Sequence, residues 1–215
     1  DRYGMPWLVE NYADPALAHI GQDLRITFES NRLVSDIPLW ERVQRFRQSI
    51  PYLIRRARFA REKAMSYRGF NVGVAALAFK ARQRHEESFR VFTGMNTKHA
   101  PNMRPTCAEP IAINAAYADD FSLIIGLVVV GELREEDVGH THTLHPCRDC
   151  RWFLQGHPLI DNNTLVVTVT PDYVPLVGHS LRVGRAVRGV RGFMELRSVG
   201  QLLALHRTIS GDDFE

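Results

Sequence analysis

Two short stretches of this chain carry residue types that do chemistry together. One is Thr106-Cys107-Ala108-Glu109, and the other is Pro146-Cys147-Arg148-Asp149-Cys150. Cys147 and Cys150 lie one helical turn apart, so both sulfurs can point the same way. Pro146 has the fixed φ that favours a helix beginning, and Ala108 opens an Ala/Ile-rich segment that suits a buried helix. If the two helix starts face each other, three thiolates converge on one point. Three protein ligands with a fourth place open to water is the plan of a catalytic zinc centre, whereas structural centres use four. Zn²⁺ is therefore the expected cofactor, with Cys107, Cys147 and Cys150 as ligands.

Helix N-termini favour such a site, because their partial positive charge lowers thiol pKa and the thiolate binds metal. Three thiolates leave a net charge of about −1 around a divalent zinc, so a nearby cation is expected, and Arg151 follows Cys150 directly. Glu109 stands two residues after the first sulfur, near the metal without binding it. A carboxylate there can take a proton from an attacking water and pass it to a leaving amine. The chain has three cysteines. An odd number, two of them three positions apart, argues against a disulfide framework.

The elements that must position these residues follow from patterning. Val43, Phe46 and Ile50, then Leu53, Ala57, Ala60 and Ala64, repeat at helical spacing, with Pro51 predicting a break or a fresh helix start between them. Val72 to Lys80 and Ser88 to Thr93 are β-prone and predict a hairpin. Ala108 to Ala118 predicts a helix, Leu123 to Val130 a central strand apolar on both faces, Cys147 to Leu154 a short helix, and Thr164 to Thr170 another strand. Beyond Pro171 only a last helix, Val199 to Leu205, stands out. This order predicts an α/β domain, a mixed β-sheet with helices on both faces in three layers. Residues 1–38, with three prolines and one candidate strand at Leu24 to Phe28, read as an N-terminal extension. Residues 39–215 read as the domain, with a core at 53–170 and a C-terminal elaboration at 171–215.

His or Cys, one residue, Glu, then Pro-Cys-x-x-Cys is the signature of zinc deaminases. The sequence resembles the cytidine deaminase family, of the three-cysteine type, over roughly Leu53 to Thr170. Ala57-Arg58 through Ala64-Met65-Ser66-Tyr67 resembles the family's first helix and the turn after it. Phe70-Asn71-Val72-Gly73-Val74-Ala75-Ala76-Leu77 is similar to its Phe-x-Val-Gly-Ala-Ala-Leu strand. Thr93-Gly94-Met95-Asn96 resembles its Gly-x-Asn, with Asn96 eleven positions before Cys107. The resemblance implies hydrolytic replacement of an exocyclic amine by a carbonyl, with release of ammonia, on a cytosine nucleoside, nucleotide or related aminopyrimidine. It implies Glu109 as the proton carrier, Phe70 lining the base pocket, Asn96 orienting the sugar or its replacement, and backbone near Ala108 meeting the pyrimidine edge. It also implies self-association as a dimer or tetramer.

The chain departs from the family at several points. The Glu that with the Gly-x-Asn Asn holds the ribose hydroxyls is Lys98 here, followed by His99. A donor-only cation replaces an acceptor. That suits an anionic or acceptor-rich group on the substrate, with Arg104 as a second cation, or else a degraded sugar site with Lys98 in solvent. Gly69 and Asn71 replace an Asn and a Pro, and Pro110 stands where an Arg often offsets thiolate charge, a role left to Arg151. Blasticidin S deaminases also lack that Glu, which keeps an unusual aminopyrimidine open.

Other features carry less. Arg182, Arg185, Arg188 and Arg191 form either a phosphate or nucleic-acid strip or a solvated edge, the latter preferred. The basic helical region from Arg42 to Arg61 reads as a solvated face or subunit contact. His140, His142 and His145 read as a polar loop rather than a second metal site. Trp40 and Trp152 read as packing residues, Trp152 also as a subunit contact. At 45% hydrophobic and 24% charged residues the composition excludes wholesale disorder, and a net charge of +3 does not by itself announce a nucleic-acid binder. The longest apolar run is too short to cross a membrane. No basic-then-apolar secretory plan opens the chain, so a cytoplasmic location is expected. The competing readings are a nucleic-acid cytosine deaminase and an inactive zinc-stabilised binding protein.

Overall fold

A computed structural model of the chain describes residues 37–66, 69–81, 87–135, 138–176 and 184–210. Most of the extension with its candidate strand, Tyr67 and Arg182 lie outside the described residues. Helix α1 runs Leu39–Glu62. The strands are β1 Met65–Ser66, β2 Gly73–Ala81, β3 Glu87–Met95, β4 Thr97–Lys98, β5 Leu123–Val130, β6 Leu165–Val169, β7 Ala186–Arg188 and β8 Phe193–Ser198. Helices α2 Ala108–Ala118, α3 Arg148–Gly156 and α4 Val199–Ser210 complete the described elements. Among these residues no helix is long and apolar enough to cross a membrane.

Six strands form one mixed sheet in the order β3-β2-β5-β6-β8-β7, with β5 and β6 parallel and every other neighbouring pair antiparallel. The hairpin, the central strand and the β6 strand stand where the sequence places them. Every residue of β5 is buried, as a strand covered on both faces requires. Helix α1 covers one face, and α2, α3 and α4 lie on the other. The fold is α/β, in three layers.

Helix α1 passes through Pro51 without a break, which corrects the expected interruption. An interior proline costs roughly 3 kcal/mol through its lost hydrogen bond and ring clash. The apolar stripe nevertheless continues across it. Phe46, Ile50, Leu53, Ala57 and Ala60 are all buried along the helix. Each large apolar side chain so buried contributes roughly 1.5–3 kcal/mol, and two half-helices diverging at residue 51 would strip one set from the sheet. The elaboration after Pro171 likewise holds more than a final helix. Strands β7 and β8 form an antiparallel pair that extends the sheet, and α4 runs on to Ser210. Trp40 and Trp152 are not packing residues, being 67% and 50% exposed. The Trp152 ring lies under the Arg148 guanidinium, 4.9 Å from it.

Two glycines seat the helices that flank the hairpin. A Cβ at Gly73 would lie 2.0 Å from the Ala57 carbonyl oxygen, so α1 rests directly on β2. A Cβ at Gly94 would lie 2.1 Å from the Ala108 carbonyl oxygen and 2.8 Å from the Ala112 nitrogen, so α2 rests on β3. The obstacle at Gly94 is backbone, which cannot rotate aside. Gly94→Ala is therefore expected to destabilise the fold by about 3 kcal/mol, at the upper end of overpacking costs. That corresponds to a fall in Tm of roughly 6–12 °C for a chain of this size. A thermal melt within a degree or two of the parent would contradict this seating.

Candidate metal centre

The start of β2, the ends of β3 and β5, and the end of β6 lie at one edge of the sheet, since Gly73 pairs with both Met95 and Val130, and Val130 with Val169. The chain leaves β3 and β5 there and turns into α2 and α3. Cys107 is the N-cap of α2 and Cys147 the N-cap of α3, both with extended backbone, and Cys150 sits in the first turn of α3. Pro110 falls in the first turn of α2, where its missing N–H removes no helical bond.

The expected convergence is present. Cys107 Sγ and Cys147 Sγ lie 3.7 Å apart, and the three cysteine sulfurs all lie within 4.8 Å of one another. Zn–S bonds of ~2.3 Å in a tetrahedron put sulfurs about 3.8 Å apart, so the spacing fits zinc. Cys150 is buried, and the other two are half-buried. No further His, Cys, Asp or Glu joins this group among the described residues.

Hydrogen bonds from the Cys107 and Cys150 thiols hold Cys147 down at about 2, and Arg134 adds to the pull. The same sharing with Cys147 pushes Cys107 up to about 12 and raises Cys150 too. The sharing of protons, with burial, thus favours ionisation of Cys147 over its two neighbours. A soft divalent ion is the group that lets the others ionise, releasing protons as it binds.

Glu109 lies in the first turn of α2 and is only 4% exposed. Burial pushes its carboxyl up to about 7, and the Cys147 thiolate adds to this. A hydrogen bond from Cys150 and the charge of Arg134 pull the other way. A carboxyl in this range can both accept and release a proton near neutral pH.

Arg134 is the cation that acts on both Cys147 and Glu109, and it escaped the sequence analysis. It stands alone in the β5–α3 loop with no spacing to mark it. Its guanidinium also donates to the His145 carbonyl, at 3.4 Å. Arg151, assigned the charge-offsetting role from its position, is buried and donates Nη1–H to the Pro146 carbonyl at 2.8 Å, bracing the turn that presents Cys147.

The other candidate residues line the same edge. Phe70 is partly buried against the core. Asn96 is spent largely on backbone: its Nδ2–H donates to Phe70 O and its Oδ1 accepts from Val72 N–H, both at 2.7 Å. It thereby fixes the entry to β2. Ala108 is buried at the α2 start. Lys98 is half-buried in β4, beside Ser66 of β1. Thr97 and Thr106 exchange backbone hydrogen bonds of 3.0 and 2.9 Å, closing the 97–106 loop that carries Lys98, His99 and Arg104 into Cys107.

The three histidines separate, and the polar-loop reading holds for two of them but is corrected for His145, which neighbours distant in sequence bury. His140 and His142 are exposed, His142 stacking on Phe193 at 5.0 Å, whereas His145 is buried. Arg185, Arg188 and Arg191 are exposed around the edge strand β7. In the basic helix, Arg42 pairs with Asp161 at 2.7 Å and Arg61 with Glu132 at 2.9 Å.

No protein-family model and no curated protein matches this chain. Solved structures do. A cytidine deaminase from Burkholderia pseudomallei is 26% identical, with a TM-score of 0.47, over 71% of this chain and 94% of that one. Its structural neighbours are cytidine deaminases. The cytidine deaminase from Mycobacterium leprae is 22% identical, with a TM-score of 0.45, over 72% of this chain and 96% of that one. The cytidine deaminase from Mycobacterium tuberculosis is 24% identical at a TM-score of 0.45, over 72% of this chain and 93% of that one.

Proposed function

We propose that this chain is a zinc-dependent hydrolytic deaminase that converts the exocyclic amine of a cytosine nucleoside, nucleotide or related aminopyrimidine to a carbonyl, releasing ammonia. The observation that carries this reading is three sulfurs gathered within 4.8 Å beside a buried carboxyl, at two helix starts. Cys107, Cys147 and Cys150 would hold the zinc, which would supply Lewis-acid activation of the attacking water. Glu109 takes a proton from that water on a carboxyl oxygen and delivers it to the departing amine nitrogen. Water adds at the ring carbon, its second proton passes to the adjacent ring nitrogen, the bond to the exocyclic nitrogen breaks, and the oxygen stays as the carbonyl. Arg134 and the two helix starts balance the thiolate charge, while Arg151 keeps the Cys147 turn in place. Phe70 lines the base pocket, and Asn96 acts by fixing the backbone between Phe70 and Val72. Ala108 offers its helix-start N–H to the pyrimidine edge.

The direct test is ammonia release by the zinc-loaded protein from a panel of cytosine compounds, paired with a mass gain of about one unit in the product. No release from any member, with zinc retained, would leave a zinc-stabilised binding protein instead. A steep fall of single-stranded nucleic-acid binding with salt would favour an editing enzyme that uses the β7 arginines.

Lys98 bears on which compound is used. With Arg104 on the same closed loop, it suits a phosphate or carboxylate on the substrate. Lys98→Glu is then expected to lower kcat/KM for a phosphorylated or carboxylated substrate at least tenfold more than for cytidine, since a charge-assisted hydrogen bond contributes roughly 1.5–3 kcal/mol. Equal losses on both would refute the role. Self-association as a dimer or tetramer belongs to the same reading and is checked by sedimentation.

A further inference from the structure

The described residues hold a second polar cluster that contributes no ligand and no reacting group. We infer that the buried chain His206–His145–Glu195 is a positioning device for the Cys147 sulfur, through which β8 and α4 set the metal affinity of a centre they do not line. This rests on the metal reading above and not on the deaminase one.

His145 is 1% exposed, and both its ring nitrogens are engaged. Nδ1 faces His206 Nε2 of α4 at 3.0 Å, and Nε2 faces Glu195 Oε2 of β8 at 3.1 Å. Glu195 is itself held by two further groups, one of them braced in turn. Thr143 Oγ1 donates to Oε2 at 3.2 Å, Arg197 Nε donates to Oε1 at 2.6 Å, and Thr168, its register partner on β6, meets Thr143 Oγ1 at 2.6 Å. Glu195, His206, Thr143 and Thr168 are each at most 3% exposed. Burying so many polar groups is costly unless each is paired, so the cluster has one low-energy arrangement rather than several.

That arrangement reaches Cys147 by a stiff route. His145 precedes Pro146, so its backbone is confined to extended conformations, and the proline ring fixes the next φ. The two carbonyls along this route are also held, His145 O by Arg134 and Pro146 O by Arg151. Few soft torsions remain between the anchored imidazole and the Cys147 sulfur. Locking the ring therefore locks the 3.7 Å spacing to Cys107 that suits a shared ion. Nothing in the sulfur geometry alone requires a sheet extended beyond β6. The cluster supplies a reason for β8 and α4.

The test uses the full chain, stripped of metal and titrated with zinc against a chromophoric chelator, and separately loaded with Co²⁺ for its thiolate absorption bands. His145→Ala is expected to bind zinc about tenfold more weakly, as loss of groups behind metal ligands commonly does, with shifted cobalt bands. His145→Gln, which can still reach Glu195, is expected to recover part of the loss. A loss of stability alone would lower the melting point of the metal-free protein without moving either the cobalt bands or the affinity of the folded fraction. Zinc affinity of His145→Ala within twofold of the parent, with an unchanged cobalt spectrum, overturns the inference. Should His145→Ala not fold, His206→Ala is read the same way, with a smaller loss in the same direction expected and parental affinity overturning the idea. Failure of both to fold makes the cluster a folding element and also overturns it. A parent chain that binds no zinc sinks the metal reading itself, whatever the ammonia assay shows.

Discussion

Glu109→Gln should lower ammonia release by about 10³-fold while leaving one zinc per chain. General acid–base groups contribute roughly 10²–10⁴-fold, and this one is asked to act twice, once toward water and once toward the leaving amine. Gln keeps the volume and the hydrogen-bonding reach of the side chain but cannot take up and release the proton. The position is only 4% exposed, so bulk water cannot easily substitute as the carrier. Because burial already favours the uncharged carboxyl, the amide is not expected to unfold the chain. Measuring kcat, bound zinc and Tm on the same preparation separates the chemistry from the scaffold. A Gln variant that retains a tenth or more of the activity would remove Glu109 from the mechanism.

Loss of one ligand should be as severe for the metal as loss of Glu109 is for turnover. Cys150→Ala removes the most buried of the three sulfurs, on the first turn of α3. Two sulfurs would remain, and among the described residues no other His, Cys, Asp or Glu joins them. Zinc content after dialysis is expected to fall below one tenth of an equivalent, and activity with it. The substitution also removes a thiol whose hydrogen bond helps hold the Cys147 thiolate, but Cys107 still donates to it, so the apo protein should lose far less than the bound ion contributes. The expected signature is thus a large difference between holo parent and variant in Tm, which mostly disappears when both are stripped of zinc. Full zinc retention by the variant would show that the ion, if bound, sits elsewhere.

The cysteine cluster was legible because its members are a rare residue type at tight spacing, two of them in the turn after Pro146, which favours a helix start. The hairpin and β5 were legible because their apolar, β-prone runs are bounded by polar segments. Pro51 misled because a local penalty was weighed without the unbroken stripe of Ile50, Leu53 and Ala57 that outweighs it. Strand β8 was obscured by its own polar content. Glu195 and Arg197 look like surface residues in a short run, yet Glu195 is buried because His145, fifty residues earlier, meets it. Arg134 was passed over and His145 read only as part of a polar loop, both for the same reason. Their importance comes from neighbours distant in sequence, and neither has a periodic or motif signal.

The seat of α2 on Gly94 places a close backbone contact one residue from a candidate metal ligand, because the atom in the way is the Ala108 carbonyl and Cys107 precedes it. Heat tolerance and grip on the ion are accordingly not independent traits at this seam. In a randomised library spanning residues 93–95, survivors of a heating step should prove to be the same clones that withstand a strong chelator, and selection for either property alone would enrich the other.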